Sequence, residues 1–270
     1  MKLTIQIVNY NSRDCLRECL DSLGSFLKKN QDVTEIIIIN NDADPVGYFL
    51  SALPQAAGRF KIIEINKNIG FGRAHNRGSR EARGEYILFL NPDTKITTES
   101  LEKILNVLEA DGKFGIAGPI LVNCREHFQE ECWGFKKTPF SIIKSKLFNK
   151  KFFLGEGGIF EADWISGGAM IIRKNLFSDL GGFDEGYFMY FEDVDLCLQA
   201  KKKGWKIAVD PAAKVFHRSG KSFSSQRDKK RYYYASQNYY LKKNFGPWQA
   251  RLVKMLRLPI YIRNVYLNKR

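Results

Sequence analysis

Short apolar runs alternate with stretches of helical periodicity through the first half of the chain. Four runs have the length of strands: Leu3–Val8, Glu35–Ile39, Phe60–Ile65 and Tyr86–Leu90. Apolar residues at helical spacing follow the first, third and fourth runs. The isoleucines that end at Ile39 form a continuous apolar strand, which is typical of parallel strands covered on both faces. The pattern predicts an α/β fold with a mostly parallel, doubly wound sheet and helices on both faces. In the second half, strands are expected at Trp164–Ile172, Lys206–Val209 and Lys214–His217.

Polar clusters stand where these predicted strands end. The clusters are Asn9-Tyr10-Asn11, Asn40-Asn41-Asp42, the glycine-rich stretch from Asn66 to Gly72, and Asn91-Pro92-Asp93-Thr94. In open α/β sheets the ligand binds beyond the carboxyl ends of the strands. Turn formation alone would explain any single cluster. Four clusters at the same edge of one sheet favour a ligand site there.

The segment Gly181–Trp205 holds five carboxylates among aromatic residues and glycines. A short helix is predicted from Glu192 to the residue before Gly204, so that Glu192 and Asp193 lie in its first turn, where the helix dipole favours negative charge. These acids could serve only as helix caps. The bulky apolar run Tyr187–Phe191 favours a second interpretation, because exclusion of water is how a protein tunes a carboxylate as a general base.

The net charge of +14 is concentrated in the C-terminal tail. Residues 214–270 hold 15 Lys and Arg residues and one acid, Asp228, whereas the first 213 residues are balanced at 28 of each sign. Bases and aromatic residues are interleaved over Asp228–Asn244, and bases stand among apolar residues at helical spacing over Trp248–Leu258, so that a basic helical tail is predicted at 223–270. Such a tail suits an anionic membrane surface, and the alternative is a helix packed on the main domain with its basic face in solvent. No nucleic-acid-binding motif accompanies the charge.

The five cysteines form no CxxC pair, and Cys15 and Cys19 lie one helical turn apart on an apolar face. This usage predicts core thiols in a reducing compartment and argues against a zinc site. No apolar run approaches the roughly 20 residues of a spanning helix. The predicted location is therefore the cytoplasm, at the inner face of the plasma membrane if the tail binds lipid.

Several motifs occur together in a fixed order along residues 3–220. They are Ile7-Val-Asn-Tyr-Asn11, Asn66-x-Asn68-x-Gly70-Phe-Gly72 with Asn76-x-Gly78, Leu90-Asn-Pro-Asp93, Gly167-Gly-Ala169, and Gly181-Gly-Phe-Asp with Glu192-Asp193-x-Asp195. The ordered set resembles the family 2 inverting glycosyltransferases of the GT-A fold, in particular the rhamnosyltransferase-like group. The resemblance implies a catalytic domain over 1–222, with a nucleotide-binding half (1–118) and an acceptor and base half (119–222), followed by the tail at 223–270.

The resemblance also implies an activity and a set of residues. The donor would be a UDP- or dTDP-sugar, with dTDP-rhamnose a candidate, and the acceptor a hydroxyl of a glycan or lipid-linked glycan in bacterial surface polysaccharide synthesis. Asp93 matches an acid that holds Mn²⁺ or Mg²⁺, His217 a further metal ligand, and Asp193 the catalytic base, with Glu192 as its competitor. The implied donor-binding residues are Val8, Asn9, Tyr10, Asn40, Asp42, Asn68, Gly70, Asn76, Asn91 and Gly168.

Two positions depart from the family's pattern. Asn91 replaces the first acid of the Asp-x-Asp motif, and Asn40 stands where relatives carry an acid that recognises the pyrimidine. An Asn oxygen also accepts the pyrimidine N3–H, and Asp42 is an alternative for this role. Two other functions share part of this pattern. A nucleotidyltransferase would need a Gly- and Lys-rich loop after the first strand, which is absent, and a catalytically inactive basic adaptor for membrane or nucleic acid remains the alternative from another class.

Overall fold

A mixed, mostly parallel sheet forms the centre of the molecule. The computed structural model describes residues 1–47, 60–129, 132–147, 158–218 and 225–267, and of these the side chains of 145–147 and 267 fall outside the description. In chain order the strands are β1 (Leu3–Asn9), β2 (Thr34–Asn40), β3 (Phe60–Glu64), β4 (Tyr86–Leu90), β5 (Thr94–Ile96), β6 (Phe114–Val122), β7 (Trp133–Gly134), β8 (Phe160–Ala162), β9 (Trp164–Ile165), β10 (Ala169–Arg173) and β11 (Lys206–His217).

The helices surround this sheet and extend from it at the C-terminus. They are α1 (Arg13–Lys29), α2 (Phe71–Ser79), α3 (Thr98–Ala110), α4 (Pro139–Leu147), α5 (Lys174–Asp179), α6 (Glu192–Lys202), α7 (Gln226–Phe245), α8 (Pro247–Leu256) and α9 (Leu258–Ile262), followed by a π-helical turn at Arg263–Leu267. The predicted α/β class, with a helical C-terminal tail, is confirmed. The four predicted strands of the first half are all present as β1 to β4.

Strand order explains how distant residues meet. Within the described residues the main sheet runs β3-β2-β1-β4-β10-β6-β11-β5, and β8 also pairs with β11. The pairs of β1 with β2 and β4, of β2 with β3, and of β6 with β11 are parallel. Strand β10 is antiparallel to both neighbours, and β5 is antiparallel to β11. Every residue of β1, β2 and β4 is buried, as the continuous apolar pattern predicted.

Three features of the second half differ from the sequence-based expectation. Strand β6 was not predicted, because its glycines and proline (Gly115, Gly118 and Pro119) interrupt the apolar pattern. The continuous strand expected at 164–172 is two strands, since the chain turns at Ser166-Gly167-Gly168. The two short strands expected at 206–209 and 214–217 are one strand with a register shift between Asp210 and Lys214. Pro211 has no N–H to donate, which accounts for an irregularity at this point.

The tail helices pack against one another. Ala250 and Val253 on α8 are buried, and Arg257 is 8% exposed although it carries a charge. Its guanidinium donates to the side chains of Gln237 and Asn238 on α7. These bonds join the helices of the tail into one unit. The boundary predicted between residues 222 and 223 lies outside the described residues.

Core thiols were expected at Cys15 and Cys19, and both are buried and free. The core also holds a histidine, His75 on α2, which is fully buried beside aromatic rings. Its ring centroid lies 4.5 Å from that of Phe71 and 4.7 Å from that of Phe89. Burial lowers the pKa of His75 to about 3. His75 is therefore neutral in the folded protein and acts as a core residue.

The lowered pKa of His75 predicts a pH dependence of stability. In the unfolded chain His75 takes up a proton below about pH 6.5, whereas in the folded protein it does so only near pH 3. The contribution of His75 to the free energy of unfolding is therefore fully present above pH 6.5 and decreases as the pH is lowered. The loss amounts to at most about 1.4 kcal/mol per pH unit in this window. Urea unfolding at pH 7, 6 and 5 should show a shallower pH slope for His75→Gln than for the wild type. The exposed His127→Gln is the matched control, and equal slopes in all three proteins would contradict the prediction.

Candidate active site

A cleft of about 450 Å³ opens at the carboxyl ends of the central parallel strands. Nine of the fourteen candidate residues predicted from the sequence line this cleft: Val8, Tyr10, Asn68, Asn91, Asp93, Gly168, Glu192, Asp193 and His217. The fold therefore brings together, at one rim, residues that are more than 200 positions apart in sequence.

Asp93 and His217 converge at one end of the cleft. Antiparallel pairing of β5 with β11 sets Thr94 opposite His217, and Asp93 precedes Thr94 directly. Asp93 Oδ1 lies 3.3 Å from His217 Nε2, with only 8% and 14% of the two side chains exposed. Asn91 Nδ2 lies 3.4 Å from the same ring nitrogen. A carboxylate oxygen and an imidazole nitrogen directed at one point fit a divalent cation, so these residues suit the predicted metal.

Asp93 and His217 are two ligands and not a complete cage. Among the described residues no group of three or more His, Cys, Asp or Glu side chains is arranged to hold a metal ion. A cation at this point would take its remaining ligands from water or from a bound substrate, which is usual where Mg²⁺ and related ions meet phosphates.

Glu192 and Asp193 stand in the same cleft, at the first turn of α6. Asp193 Oδ2 accepts a hydrogen bond from the Gly167 backbone N–H at 2.9 Å, and its Oδ1 accepts one from the Val194 N–H at 2.7 Å. Burial raises the pKa of Asp193, while these hydrogen bonds and the charge of Lys137 oppose the rise. The two N–H donors hold the carboxylate in one orientation.

Glu192 differs from Asp193 in having no hydrogen-bond partner for its buried Oε2. Burial, and then the charge of Asp193, raise the pKa of Glu192 well above its ordinary value. Adjacent buried carboxyls cannot both ionise readily, so one proton belongs to the pair. Because Asp193 receives the N–H bonds that favour the charged form, Asp193 is the carboxylate and Glu192 the neutral acid.

The turn that leads into α6 is strained. Tyr190 and Phe191 have φ values of 70° and 68°, a left-handed conformation that bulky residues rarely adopt. Each such residue costs on the order of 1–3 kcal/mol and persists only where the surroundings enforce it. The tail helix α7 supplies that support: Ser236 Oγ donates to the Met189 carbonyl at 2.7 Å, and the Tyr233 ring lies 5.3 Å from that of Phe191.

An ion pair holds the two flanks of the strained turn to the same helix. Lys243 Nζ on α7 lies 2.6 Å from a carboxylate oxygen of Asp184, before the turn, and 2.6 Å from one of Asp195, after it. Asp195 is 2% exposed, and Asn244 Nδ2 donates to its other oxygen at 2.8 Å. Helix α7 therefore holds the segment that presents Glu192 and Asp193 to the cleft.

Lysines and aromatic rings line the cleft beside Asp193. Lys137 Nζ lies 4.3 Å from the centroid of the Trp164 ring, and its charge acts on the Asp193 carboxylate. Helix α7 contributes Lys229 and Tyr233 to the lining of the cleft. Sequence analysis did not single out Lys137 or Gln129 as site residues, because the segment 120–160 shows no periodicity that would place them.

Asn9 and Asn40 do not line the cleft. Both are fully buried, and Asn9 Nδ2 donates to Asn40 Oδ1 at 2.8 Å while Asn40 Nδ2 donates to Glu64 Oε2 at 2.6 Å. Their neighbour Asn41, which was not predicted as a site residue, lies in the cleft wall. Asn41 Oδ1 accepts from the Ile69 N–H at 2.9 Å, and its Nδ2 donates to Asn68 Oδ1 at 3.0 Å.

Asp42, Asn76 and Gly70 support the cleft from outside its wall. Asp42 Oδ2 accepts from the Asn11 N–H at 2.9 Å, which ties together the loops after β1 and β2. Asn76 Nδ2 donates to the Phe183 carbonyl at 2.8 Å, and its Oδ1 accepts from the Phe183 N–H at 2.9 Å. Gly70 has φ +94°, and the Phe71 N–H beside it donates to the Phe188 carbonyl at 3.0 Å. All three join loops that border the site.

The sheet has the GT-A type of fold, and comparison with known proteins identifies the family. The family model described as glycosyl transferase family 2 matches residues 4–180. The chain belongs to this family, so the enzyme class and the resemblance inferred from sequence are confirmed.

Named relatives include rhamnosyltransferases. An N-acetylglucosaminyl-diphospho-decaprenol L-rhamnosyltransferase of Mycobacterium tuberculosis is 26% identical, and the match covers 97% of this chain and 91% of the relative. The rhamnosyltransferase WbbL of Escherichia coli K12 is also 26% identical, over 79% of this chain and 82% of the relative.

Solved structures share the fold. GalNAc-T7, crystallised with UDP, GalNAc and Mn²⁺, aligns with a TM-score of 0.63 at 15% identity, and the alignment covers 96% of this chain. This chain spans about half (54%) of the GalNAc-T7 chain. A mannosyltransferase of Pyrobaculum calidifontis in complex with GDP-Man and Mn²⁺ also gives 0.63 at 15% identity, over 98% of this chain and 73% of that one.

The close approach at Gly70 predicts a specific sensitivity to substitution. A Cβ at Gly70 would lie 2.4 Å from the Phe188 carbonyl oxygen, which belongs to the backbone before the strained turn. Gly246 has nearly the same backbone angles (99° and 161°, against 94° and 168°), but a Cβ there meets only the end of the Gln249 side chain, at 3.1 Å.

Gly70→Ala should therefore lower the free energy of unfolding by at least about 1 kcal/mol more than Gly246→Ala, because both carry the backbone strain and only the first carries the clash. Urea unfolding of the two variants measures the difference. Equal losses of unfolding free energy in the two variants would show that the backbone at Phe188 moves aside without destabilising the protein.

Proposed function

We propose that this protein is an inverting hexosyltransferase that moves a sugar from a UDP- or dTDP-sugar to a hydroxyl of a lipid-linked glycan, with dTDP-rhamnose as the first donor to test. One observation carries the proposal: the Asp93–His217 pair and the Asp193 carboxylate line a single cleft. The rhamnosyltransferase names of the relatives support the choice of donor and acceptor class.

Asp93 and His217 would hold Mn²⁺ or Mg²⁺ in this proposal. The cation supplies positive charge that offsets the charge developing on the departing nucleoside diphosphate. The Mn²⁺ in the structures of GalNAc-T7 and the mannosyltransferase supports a divalent ion here. Asn91 replaces an acid of the family motif, and its amide, 3.4 Å from His217 Nε2, gives the site one negative charge fewer.

Asp193 is the proposed base. As the acceptor oxygen forms its bond to the anomeric carbon, Asp193 takes the hydroxyl proton, and the bond from that carbon to the diphosphate oxygen breaks. Attack occurs opposite the leaving group, so the configuration inverts. Burial raises the pKa of Asp193 towards the working pH, which strengthens it as a base. Glu192, as the neutral acid of the pair, has a proton to donate to a sugar hydroxyl in the cleft.

The donor side of the cleft is formed by backbone and amides. Val8, Tyr10, Asn41 and Asn68 lie at the ends of β1, β2 and β3, and Asn41 fixes the loop that carries Asn68 through hydrogen bonds. The side chains of Asn40 and Asp42, the two residues predicted for pyrimidine recognition, make hydrogen bonds within the protein instead. We propose that the nucleotide instead contacts Tyr10, while Asn41 acts as a support for the neighbouring loop that carries Asn68.

The acceptor side is formed by Lys137, Lys229 and aromatic rings. Both lysines line the cleft, as do Trp164, Tyr233 and the base, and Lys137 lies against the Trp164 ring. With the donor diphosphate at Asp93 and His217, these lysines suit a second anionic group on the acceptor. A sugar linked to a lipid through diphosphate has such a group, and the aromatic rings suit its sugar.

The tail offers an apolar and basic surface for the membrane that holds such an acceptor. On α8 the exposed side chains Trp248 (74%), Leu252 (45%) and Met255 (65%) share one face, opposite the buried Ala250 and Val253. Arg251 lies beside this face, and Lys254 lies further round the helix on the same side. Among the described residues, no helix has the length and apolar character needed to cross a bilayer. We propose that this face lies on an anionic membrane surface, with each base near it adding about 1 kcal/mol.

Substitution of the base tests the reaction. A thermal-shift screen of UDP-, dTDP- and GDP-sugars with Mn²⁺ first identifies the donor. Asp193→Asn should then lower kcat for transfer to a diphosphate-linked lipid acceptor by about 10²–10⁴-fold and leave the donor's thermal shift unchanged, because Asp193 acts on the acceptor proton.

The exposed Asp179→Asn is the matched control and should behave as wild type. In the wild type, kcat/KM should fall with decreasing pH at a higher pH than an ordinary aspartate would require, since the Asp193 pKa is raised. Absence of metal-dependent turnover of every nucleotide sugar in the screen, with Asp193→Asn indistinguishable from the wild type, would reject the proposed chemistry and support the inactive adaptor.

The membrane surface has its own test. The combined change Trp248→Ser, Leu252→Ser and Met255→Ser should weaken co-sedimentation with phosphatidylglycerol vesicles roughly tenfold or more, because it removes apolar area that enters the interface. Val33→Ser, at an exposed apolar residue before β2, is the control. Equal vesicle binding by wild type, triple variant and control would show that this face does not contact the membrane. Circular dichroism verifies that α8 is retained.

A further inference from the structure

Gln129 makes two hydrogen bonds to one residue, His217. Its Nε2 donates to the His217 carbonyl oxygen at 2.7 Å, and its Oε1 lies 2.9 Å from His217 Nδ1. Gln129 is held in place by its backbone N–H, which donates to the Leu121 carbonyl at the end of β6 at 2.9 Å. It also lines the cleft. Gln129 thus connects β6, through its backbone, with the last residue of β11, through its side chain.

The chemistry of these contacts fixes the orientation of the amide. A backbone carbonyl only accepts hydrogen bonds, so the group facing the His217 carbonyl must be the NH₂ of Gln129. The amide oxygen must then face Nδ1. An amide oxygen only accepts, and Nδ1 must therefore carry the proton and donate it.

The tautomer follows from this orientation. A neutral imidazole carries one proton, and when that proton is on Nδ1 the lone pair is on Nε2. Nε2 is the atom that lies 3.3 Å from Asp93 Oδ1 and 3.4 Å from Asn91 Nδ2. Two acceptors, the carboxylate and the Nε2 lone pair, consequently face each other in a nearly buried place. Such an arrangement suits a cation between them.

We infer that Gln129 is a positioning residue that holds His217 in the tautomer able to bind the metal. The inference rests on the proposed metal role of Asp93 and His217, but its first test needs no metal. Groups that fix a ligand histidine through its other nitrogen typically contribute 10–100-fold to metal affinity. Packing alone would account for a glutamine at this position, and would not require a particular tautomer of His217.

The first experiment measures the tautomer of the metal-free wild type. The chain has three histidines, so ¹⁵N-histidine labelling and long-range ¹H–¹⁵N spectra above pH 7 give three resolvable rings. His217 is assigned by loss of its signals in His217→Ala. The inference requires a protonated Nδ1 and an unprotonated Nε2 in His217. A protonated Nε2 overturns it, whatever the enzyme's activity.

The second experiment uses variants and Mn²⁺ binding followed by electron paramagnetic resonance. Gln129→Met removes both hydrogen bonds and should weaken Mn²⁺ binding by about 10–100-fold and give a mixture of His217 tautomers. Gln129→Glu keeps an acceptor opposite Nδ1–H and should preserve the wild-type tautomer. The exposed Gln249→Met on α8 is the matched control and should leave both readouts unchanged.

The outcomes separate the two levels of the proposal. Wild-type tautomer and Mn²⁺ affinity in Gln129→Met would overturn the role of Gln129 while leaving the metal site intact. Absence of Mn²⁺ binding by the wild type, with the required tautomer present, would instead count against the proposed metal-assisted function. If Gln129→Met does not fold, the wild-type spectrum and Gln129→Glu still decide the inference.

Discussion

The pairing of β11 with β5 and β6 is the constraint on which the site depends. Its antiparallel register with β5 sets Thr94 opposite His217, which brings the neighbouring Asp93 to the histidine ring. Its parallel register with β6 extends to Val122, just before the hairpin that returns through Gln129. One strand therefore positions the carboxylate, the imidazole and the amide that contacts the imidazole. The register shift after Asp210 lets the same strand pair with β8 first and β5 afterwards.

The other half of the site is held by enforced strain. Tyr190 and Phe191 adopt left-handed angles immediately before the two carboxyl groups, and side chains of α7 hold this turn on both flanks. The energetic cost of the turn is offset by aromatic packing against α7 and by the ion pairs of Lys243 with Asp184 and Asp195. The turn holds Asp193 where its carboxylate accepts a hydrogen bond from the Gly167 N–H in a fixed orientation. Strand register therefore positions Asp93 and His217, whereas a strained turn positions Asp193.

The fold of the first half could be predicted because β2 and β4 carry continuous apolar runs, which are typical of strands covered on both faces, and β1 and β3 are mainly apolar runs of strand length. Strand β6 could not, since its glycines and proline break the same signal. Motifs located Asp93, Asp193 and His217 near one another. They could not tell that Asn9 and Asn40 pair across neighbouring strands while Asn41 faces the cleft, because register decides which side chain of a cluster turns outward. Gln129 and Lys137 carried no local signal, and only tertiary contacts reveal them.

The contact between α7 and the acidic segment has a consequence for how such enzymes diversify. A C-terminal extension that merely trailed from the catalytic body could be exchanged freely between family members. Here Lys243, Ser236 and Tyr233 are part of what keeps the base in position. A tail taken from another family member would place different side chains against Asp184 and Phe191. The segment Gly181–Trp205 and helix α7 must therefore be inherited together. An exchange between family members that preserves the site would therefore have to replace both segments together, although they are distant in sequence.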